Sequence, residues 1–182
     1  MEIKRAETNN ELHQILALQK ENHLDNLSAN SKANKGFLTV MHSFEMLITM
    51  NTKASQIIAK DGDKVVAYAL VMLKEFKNLV PVLIPMFENF EQIIFKGSKL
   101  SNFNYYVMGQ ICVDDAYKRQ GVLNKLYLKH KEVYSKMFDY CVTEVSSSNI
   151  PSMLAHEKTG FKTIHTFKDA TDEWNILVWD WN

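Results

Sequence analysis

Apolar positions along the first half of the chain alternate between helical and strand spacing. Residues 2–6 suit a short first strand, and Thr8 or Asn9 can then cap a helix with Leu12 and Ile15 on its apolar face. Asparagine and serine dominate the polar stretch that follows. That composition indicates a loop or a broken helix before the next apolar run.

The next two apolar runs predict a helix and a hairpin. After Gly36, helical spacing predicts a helix with apolar positions at Phe37, Val40, Met41, Phe44, Leu47 and Ile48. Residues 55–73 contain two β-rich runs on either side of Asp61-Gly62, which is a strong turn signal. Pro81 and Pro85 then interrupt an ambiguous stretch that favours a helix after the second proline.

The second half of the chain shows a regular order of elements. A strand is predicted at 104–115, a helix from near Val122 and a second strand at 140–146. A short helix at 149–161 and two closing strands at 162–167 and 173–181 follow. Gly109 marks a bulge or a close backbone approach within the first of these strands. A chain of 182 residues is most simply one domain, so residues 1–182 are expected to form a single α/β domain.

Composition limits the classes of function. The 21 basic and 21 acidic residues give no general attraction to nucleic acid or to an anionic membrane, so any anion site must be local. A polar N-terminus and short apolar runs predict a cytoplasmic protein without a membrane span. Cys112 and Cys141 lie in apolar stretches and are expected to be buried, reduced thiols. The histidines lack paired zinc spacing, so no metal site is predicted.

The start of the helix near Val122 contains candidate chemistry. Lys118, Arg119 and Gln120 precede Gly121, and the first N–H groups of a helix lack partners within that helix. The helix dipole, the basic pair and a glycine that permits close approach together favour a phosphate or pyrophosphate. A bare turn with solvated basic residues explains the same pattern. Asp114 and Asp115 read as turn and capping residues.

Two linked motifs carry a resemblance to a known family. "VDDAYKRQGVLNKL" resembles the acyl-CoA-binding motif of GNAT N-acetyltransferases, written Gln/Arg-x-x-Gly-x-Gly/Ala. "TEVSSSNIPSMLAHEKTGF" resembles the next strand and helix of that family. The resemblance covers about residues 104–165 and implies a GNAT-like fold, with a mixed, mostly antiparallel sheet flanked by helices.

The resemblance also implies acetyl-CoA as the acyl donor and assigns residues to it. The strand offers main-chain groups to the pantetheine arm, and the turn and helix start cradle the pyrophosphate. Asn149 contacts the donor too. The implied donor-binding residues are Ile111, Cys112, Val113, Lys118, Arg119, Gln120, Gly121, Val122, Leu123, Asn124 and Asn149. Two depart from the motif: Lys118 stands where Gln or Arg is usual, and Leu123 where Gly or Ala is usual.

The implied reaction is direct transfer of an acetyl group to a primary amine. Glu144 occupies the position of a glutamate base in ribosomal-protein-type members, although a surface or salt-bridged carboxylate on the strand is the alternative. His156 replaces the usual tyrosine that protonates the leaving thiolate. A protonated histidine has the proton for that role, or else it caps or packs the short helix. No His–Cys signature supports Cys112 as a nucleophile in a two-step route.

Other classes of function stay open at this point. A GNAT-like chain can be a non-catalytic CoA-binding or interaction module, or it can use a longer acyl donor. The acceptor is a small-molecule or peptide amine of unknown identity, and segments 20–50 and 76–100 are expected to shape its pocket. Trp174, Trp179 and Trp181 indicate core packing or the edge of a homodimer.

Overall fold

A computed structural model describes residues 1–181. Its helices are α1 (Asn9–Asn22), α2 (Ala29–Lys35), α3 (Phe44–Lys53), α4 (Ile84–Phe90), α5 (Val122–Tyr134) and α6 (Ile150–Thr159). Its strands are β1 (Glu2–Arg5), β2 (Ile57–Asp61), β3 (Lys64–Met72), β4 (Ile94–Phe95), β5 (Ser98–Lys99), β6 (Tyr105–Val113), β7 (Tyr140–Ser146), β8 (Lys162–Lys168) and β9 (Glu173–Asp180).

Seven strands form one sheet in the order β1-β2-β3-β6-β7-β9-β8, and β4 pairs with β5 separately. Each neighbouring pair in the large sheet is antiparallel except β6 and β7, which run parallel. The prediction of a mixed, mostly antiparallel sheet flanked by helices is confirmed.

The centre of the sheet is buried on both faces. Along β3, Tyr68 and Leu70 pack in a cluster with α1 and α3, whereas Ala69 and Val71 pack in a second cluster with α5. Alternate side chains of a strand point to opposite faces, so β3 needs a helical layer on each side. Trp179 also lies in the α5 cluster, in agreement with the core interpretation of that tryptophan.

The parallel pair of strands separates after a short contact. β6 pairs with β7 only through residues 105–107, opposite residues 140–142, among the described residues. On the other edge of β6, pairing with β3 passes from Gln110 to Met108 and leaves Gly109 as the extra residue of a β-bulge. The predicted bulge is confirmed. A bulge bends its strand, and here it lies where β6 has left β7.

The predicted helix from Phe37 onward is wrong at its start. Ser43 caps α3, and residues 37–42 lie outside any helix, with Leu38 in a parallel bridge to His23. Gln110 donates a hydrogen bond to the carbonyl oxygen of Val40 at 2.8 Å. These partners are distant in sequence, and they satisfy backbone groups that a helix would have paired locally. Leu38 and Val40 therefore pack in the core without belonging to a helix.

The first helix shows how local sequence signals fix an element. Thr8 is the N-cap of α1, and Glu11 completes a capping box: its carboxylate accepts hydrogen bonds from the N–H groups of Glu7 (2.8 Å) and Thr8 (3.1 Å). Lys4 and Lys60 each lie 3.2 Å from the same buried carboxylate. Burial opposes its ionisation, but these partners outweigh burial and lower the pKa of Glu11 from 4.5 to about 2.

The lowered pKa of Glu11 predicts a loss of stability in acid. The carboxylate stabilises the fold fully above pH 4.5, and this contribution is lost as pH falls towards 2. We expect Glu11→Gln to lower the free energy of unfolding by about 1–2 kcal/mol at pH 7. The difference from the wild type should shrink between pH 5 and pH 2 in urea titrations.

Glu7→Gln is the matched control for this prediction. Glu7 pairs with the same Lys4 at 2.7 Å, but its side chain is 67% exposed. Its removal should change the free energy of unfolding by less than about 0.5 kcal/mol. Equal losses for the two variants would contradict the structural role assigned to the buried carboxylate.

Candidate functional site

A cavity of about 890 Å³ opens between β6, the start of α5 and α6. This volume lies within the usual range for ligand pockets. Ten of the eleven predicted donor-binding residues line it: Ile111, Cys112, Val113, Lys118, Arg119, Gly121, Val122, Leu123, Asn124 and Asn149. Gln120 does not line it, because its side chain donates a hydrogen bond back to the carbonyl oxygen of Ala116 at 2.8 Å.

The turn before α5 presents main-chain N–H groups to this cavity. Gly121 is the N-cap with φ 74°, and Arg119 also has a positive φ of 63°. No side chain of residues 1–181 caps α5, so its first N–H groups lack side-chain partners. A Cβ atom built on Gly121 would meet no atom within 4 Å, so the space beside this helix start is open. Together with the helix dipole, this geometry fits an anion.

The charge of the cavity wall fits a polyanion. Four basic side chains line it from three parts of the chain, namely Lys35, Lys118, Arg119 and Lys158. Asp115 is the one acidic side chain among the described residues that line it. Sequence reasoning missed Lys35 and Lys158. Lys158 lies near the end of the second motif, so its place in that motif is a signal for it, whereas no local signal marks Lys35.

Leu123 departs from the family motif without closing the cavity. Its side chain is half-buried and packs against the cluster of α5, while it also lines the cavity. A side-chain change leaves the main-chain N–H in place, so the anion-binding property of the turn does not depend on glycine at this position.

A second, smaller cavity of about 90 Å³ lies in the gap where β6 and β7 separate. Glu144 of β7 lines it together with Gly109 of the bulge. The two cavities share six lining residues: Phe37, Leu38, Ile111, Asn149, Ser152 and His156. The structure thus brings both predicted catalytic residues to one connected site, with His156 on the shared wall.

Glu144 has a buried carboxylate oxygen with no hydrogen-bond partner among residues 1–181. This oxygen is Oε2, and the side chain as a whole is half-buried. Burial, reinforced by the negative charge of Asp169, raises the pKa of Glu144 to about 7. The alternative interpretation as a salt-bridged carboxylate is not supported, because no basic side chain in the described part of the chain pairs with Oε2 of Glu144. Glu144 is therefore poised to take up and release a proton near neutral pH.

His156 is 3% exposed and lies in ring contact with Tyr127 and Phe161. Its Nδ1 is 2.8 Å from the carbonyl oxygen of Ser152, which only accepts, so Nδ1 carries the proton. Nε2 has no partner in the described chain, and burial lowers the pKa of the ring. The resting histidine is therefore neutral, and Nε2 accepts rather than donates a proton. An acid role requires that the ring first be protonated.

Asn149 has a structural task in addition to its place in the cavity wall. Its Oδ1 caps α6 by accepting a hydrogen bond from the N–H of Ser152 at 3.3 Å, and its Nδ2 donates to the carbonyl oxygen of Phe37 at 3.1 Å. The asparagine thereby ties the extended segment to the start of α6.

Cys112 lines the larger cavity but is a poor nucleophile. It is 8% exposed, and burial raises the pKa of its thiol to about 12. A thiol rather than a thiolate is present at neutral pH. Among residues 1–181 there is no group of three His, Cys, Asp or Glu side chains placed to hold a metal ion. Within the same range, none of the helices is both long and apolar enough to span a membrane.

Comparison with known proteins finds similar structures but no match to a family model or to a curated sequence. The ribosomal-protein-S18-alanine N-acetyltransferase from Escherichia coli matches with a TM-score of 0.62 at 15% identity, over 98% of this chain and 92% of that chain. A chain from Desulfovibrio desulfuricans that is assigned to the GNAT family of acetyltransferases matches with a TM-score of 0.63 at 12% identity, over 98% of both chains. A chain of the NatC complex bound to Gag peptide and CoA matches with a TM-score of 0.64 at 11% identity, over 100% of both chains.

The buried thiols predict slow chemical modification. In the folded protein at pH 8, we expect iodoacetamide to leave Cys112 and Cys141 unlabelled while it labels both fully in urea, because burial raises each pKa to about 12. Mass spectrometry of peptides would measure the labelling. Rapid labelling of Cys112 in the folded protein would contradict this and reopen a two-step route through that thiol.

Proposed function

We propose that this chain, which has the fold of the GNAT acetyltransferases, is an acetyl-CoA-dependent N-acetyltransferase that acetylates a primary amine by direct transfer. The observation that carries the proposal is the meeting of two cavities at His156, one suited to a polyanion and one containing an unpaired carboxylate. A non-catalytic binding module is the less favoured alternative.

The donor fits the larger cavity. The main-chain N–H groups between Lys118 and Asn124 would hold the pyrophosphate, and the edge of β6 from Ile111 to Val113 would face the pantetheine arm, since it has no partner strand there. Acetyl-CoA supplies the activated acetyl group as a thioester. A main-chain N–H near Val113 is the proposed donor to the thioester oxygen, because charge develops on that oxygen during attack.

Glu144 is the proposed general base. An aliphatic amine is mainly protonated at neutral pH, so it must lose a proton before it attacks. A carboxylate with a pKa of about 7 is largely ionised slightly above neutrality and can accept that proton directly or through one water. No ion pair in the described residues competes for Oε2.

His156 is the proposed second proton carrier. His156 lines both cavities, and its buried Nε2 has no hydrogen-bond partner among residues 1–181. In this proposal the lone pair of Nε2 accepts the proton that the attacking nitrogen loses when it becomes an amide. The same proton then passes from Nε2 to the leaving sulfur as the C–S bond breaks. The ring thus acts as an acid only after it has acted as a base within the same cycle. Direct transfer needs no covalent step through Cys112.

The acceptor enters through the smaller cavity in this proposal. Its volume of about 90 Å³ admits an amino group and a few attached atoms, and Glu144 is the one charged side chain among its described lining residues. With no cation there, the cavity does not favour a carboxylate next to the amine. Peptide N-termini are therefore the first acceptors to test. This choice agrees with the ribosomal-protein alanine and the Gag peptide named for two structural neighbours.

Calorimetric titration with acetyl-CoA tests donor binding. We expect saturable binding that Gly121→Val weakens about tenfold or more, because φ 74° strains a β-branched residue and its side chain would extend into the open space of the cavity. Gly97→Val is the matched control, since Gly97 also has a positive φ and open space but lies between β4 and β5 and lines neither cavity. No binding at millimolar acetyl-CoA would reject the proposal.

The pH dependence of turnover tests the base. We expect kcat/KM for the best acceptor to rise as pH increases through about 7, because the carboxylate of Glu144 must be ionised. Glu144→Gln should lower kcat/KM by roughly 10²- to 10⁴-fold and remove this step in the profile. Asp169→Asn should shift the step to lower pH without removing it, since Asp169 raises the pKa of Glu144.

Stability distinguishes lost catalysis from lost folding. A carboxylate whose folded pKa is raised costs stability once pH exceeds its ordinary 4.5, and the cost grows up to about pH 7. Glu144→Gln should therefore raise the melting temperature at pH 8 while it lowers turnover. A variant that retains turnover with an unchanged pH profile would exclude Glu144 as the base.

A further inference from the structure

α2 brings a cation to the donor cavity from a remote part of the sequence. Lys35, the last residue of α2, forms an ion pair with the carboxylate of Asp115 in the turn before α5. The Nζ of Lys118 is 2.7 Å from Oδ1 of the same carboxylate and also donates to the carbonyl oxygen of Lys35 at 3.2 Å. All three side chains line the larger cavity. A carboxylate therefore lies between two ammonium groups on the cavity wall.

The same segment is tied to the opposite side of the cavity. We call residues 29–37 the strap. Asn149, at the start of α6, donates a hydrogen bond to the carbonyl oxygen of Phe37 at 3.1 Å, and Gly36 approaches it so closely that an added Cβ would lie 3.0 Å from its Oδ1. The strap thus reaches from the turn before α5 to the start of α6, across the cavity.

Polar contacts hold the strap in place. Every residue of α2 is exposed or half-buried, and a helix of seven residues is marginal by itself. The side chains of Asp115, Lys35 and Lys118 are 48%, 47% and 27% exposed. Exposed ion pairs of this kind contribute little to stability. A ligand with a higher negative charge can therefore displace the carboxylate without unfolding the surrounding structure.

We infer that Lys35 is a donor-binding residue, and that a phosphate group of the donor replaces the carboxylate of Asp115 between Lys35 and Lys118. This inference rests on the proposed function. The carboxylate of Asp115 thus competes with the phosphate for the two lysines. It holds both ammonium groups in place before the donor binds, and its negative charge repels the phosphates afterwards. Hydrogen bonds from Lys118 and Lys35 lower the pKa of Asp115, so it is ionised at neutral pH.

Substitutions of opposite expected sign test the inference by calorimetry with acetyl-CoA at low ionic strength. Lys35→Met should raise the Kd roughly fivefold or more, because one charge-assisted contact to phosphate is lost. Asp115→Asn should lower the Kd by about threefold or more, because the competing charge is removed. Lys32→Met is the matched control on the same helix, since Lys32 does not line the cavity, and it should leave the Kd unchanged.

A purely structural ion pair predicts a different pattern. If Lys35 and Asp115 only support the strap, both substitutions weaken binding or neither has an effect, and either result would overturn the inference. Thermal unfolding of each variant checks the fold. Failure of the proposed function gives a different result, because the wild type itself would then not bind acetyl-CoA. If only the assignment of Lys35 is wrong, the wild type binds acetyl-CoA and Gly121→Val still weakens that binding.

Donor fragments locate the phosphate. Lys35→Met should leave the weak binding of S-acetylpantetheine, which lacks phosphate, unchanged. An effect of Lys35→Met that persists with 3′-dephospho-CoA places the pyrophosphate between the two lysines, and an effect that disappears places the 3′-phosphate there. Either result supports the inference. An equal effect on S-acetylpantetheine would contradict it.

Discussion

The separation of β6 from β7 is the constraint on which the site depends. Three paired residues hold the strands together at one end. Beyond Val107 the edge of β6 has no strand partner among the described residues, although Thr143 of β7 donates a hydrogen bond to the carbonyl oxygen of Met108 at 3.0 Å. Backbone groups in a sheet are ordinarily consumed by the ladder, so a strand that leaves its partner offers a row of free donors and acceptors. The gap also places Ile111 and Glu144 on facing walls of one cavity. The bulge at Gly109 lies on the other edge of β6, at the same level.

Burial shifts the pKa values of the carboxyl and thiol groups of this site in one direction and that of the imidazole in the other. Loss of water disfavours the charged form of each group, so it raises the pKa values of Glu144 and Cys112 and lowers that of His156. At neutral pH the result is a half-ionised carboxyl, a neutral imidazole and a protonated thiol. Two groups can accept a proton and the thiol cannot attack, which is the set of protonation states that direct transfer to an amine requires.

The sequence predicted the second half of the chain better than the first, and the reason is physical. α5 and α6 begin and end at local signals, such as Gly121 and Gly160, that act within a few residues of the element itself. The strap and the extended segment after it depend on partners elsewhere in the chain: Val40 is held by Gln110, and Lys35 by Asp115. Helical spacing of apolar residues cannot reveal such contacts, because extended and helical segments can bury the same side chains. The positions of Glu144 and His156 in one site followed from the motifs, whereas the neutral state of His156 required the carbonyl oxygen of Ser152.

Two glutamates show how the partners of a carboxylate set its pKa. Glu11 and Glu144 are both withdrawn from water, which by itself would raise both pKa values. Glu11 has two N–H donors and two lysines around it, so its charge is compensated and it fixes the start of α1 beside the first strand. Glu144 has an oxygen without any partner in residues 1–181, so its charge remains costly and its proton remains exchangeable. An unsatisfied buried carboxylate lowers stability, and a second set of donors like that of Glu11 would remove the cost. Such donors would also lower the pKa far below neutrality and leave too weak a base for an amine, so the missing partners are what make Glu144 suited to proton transfer.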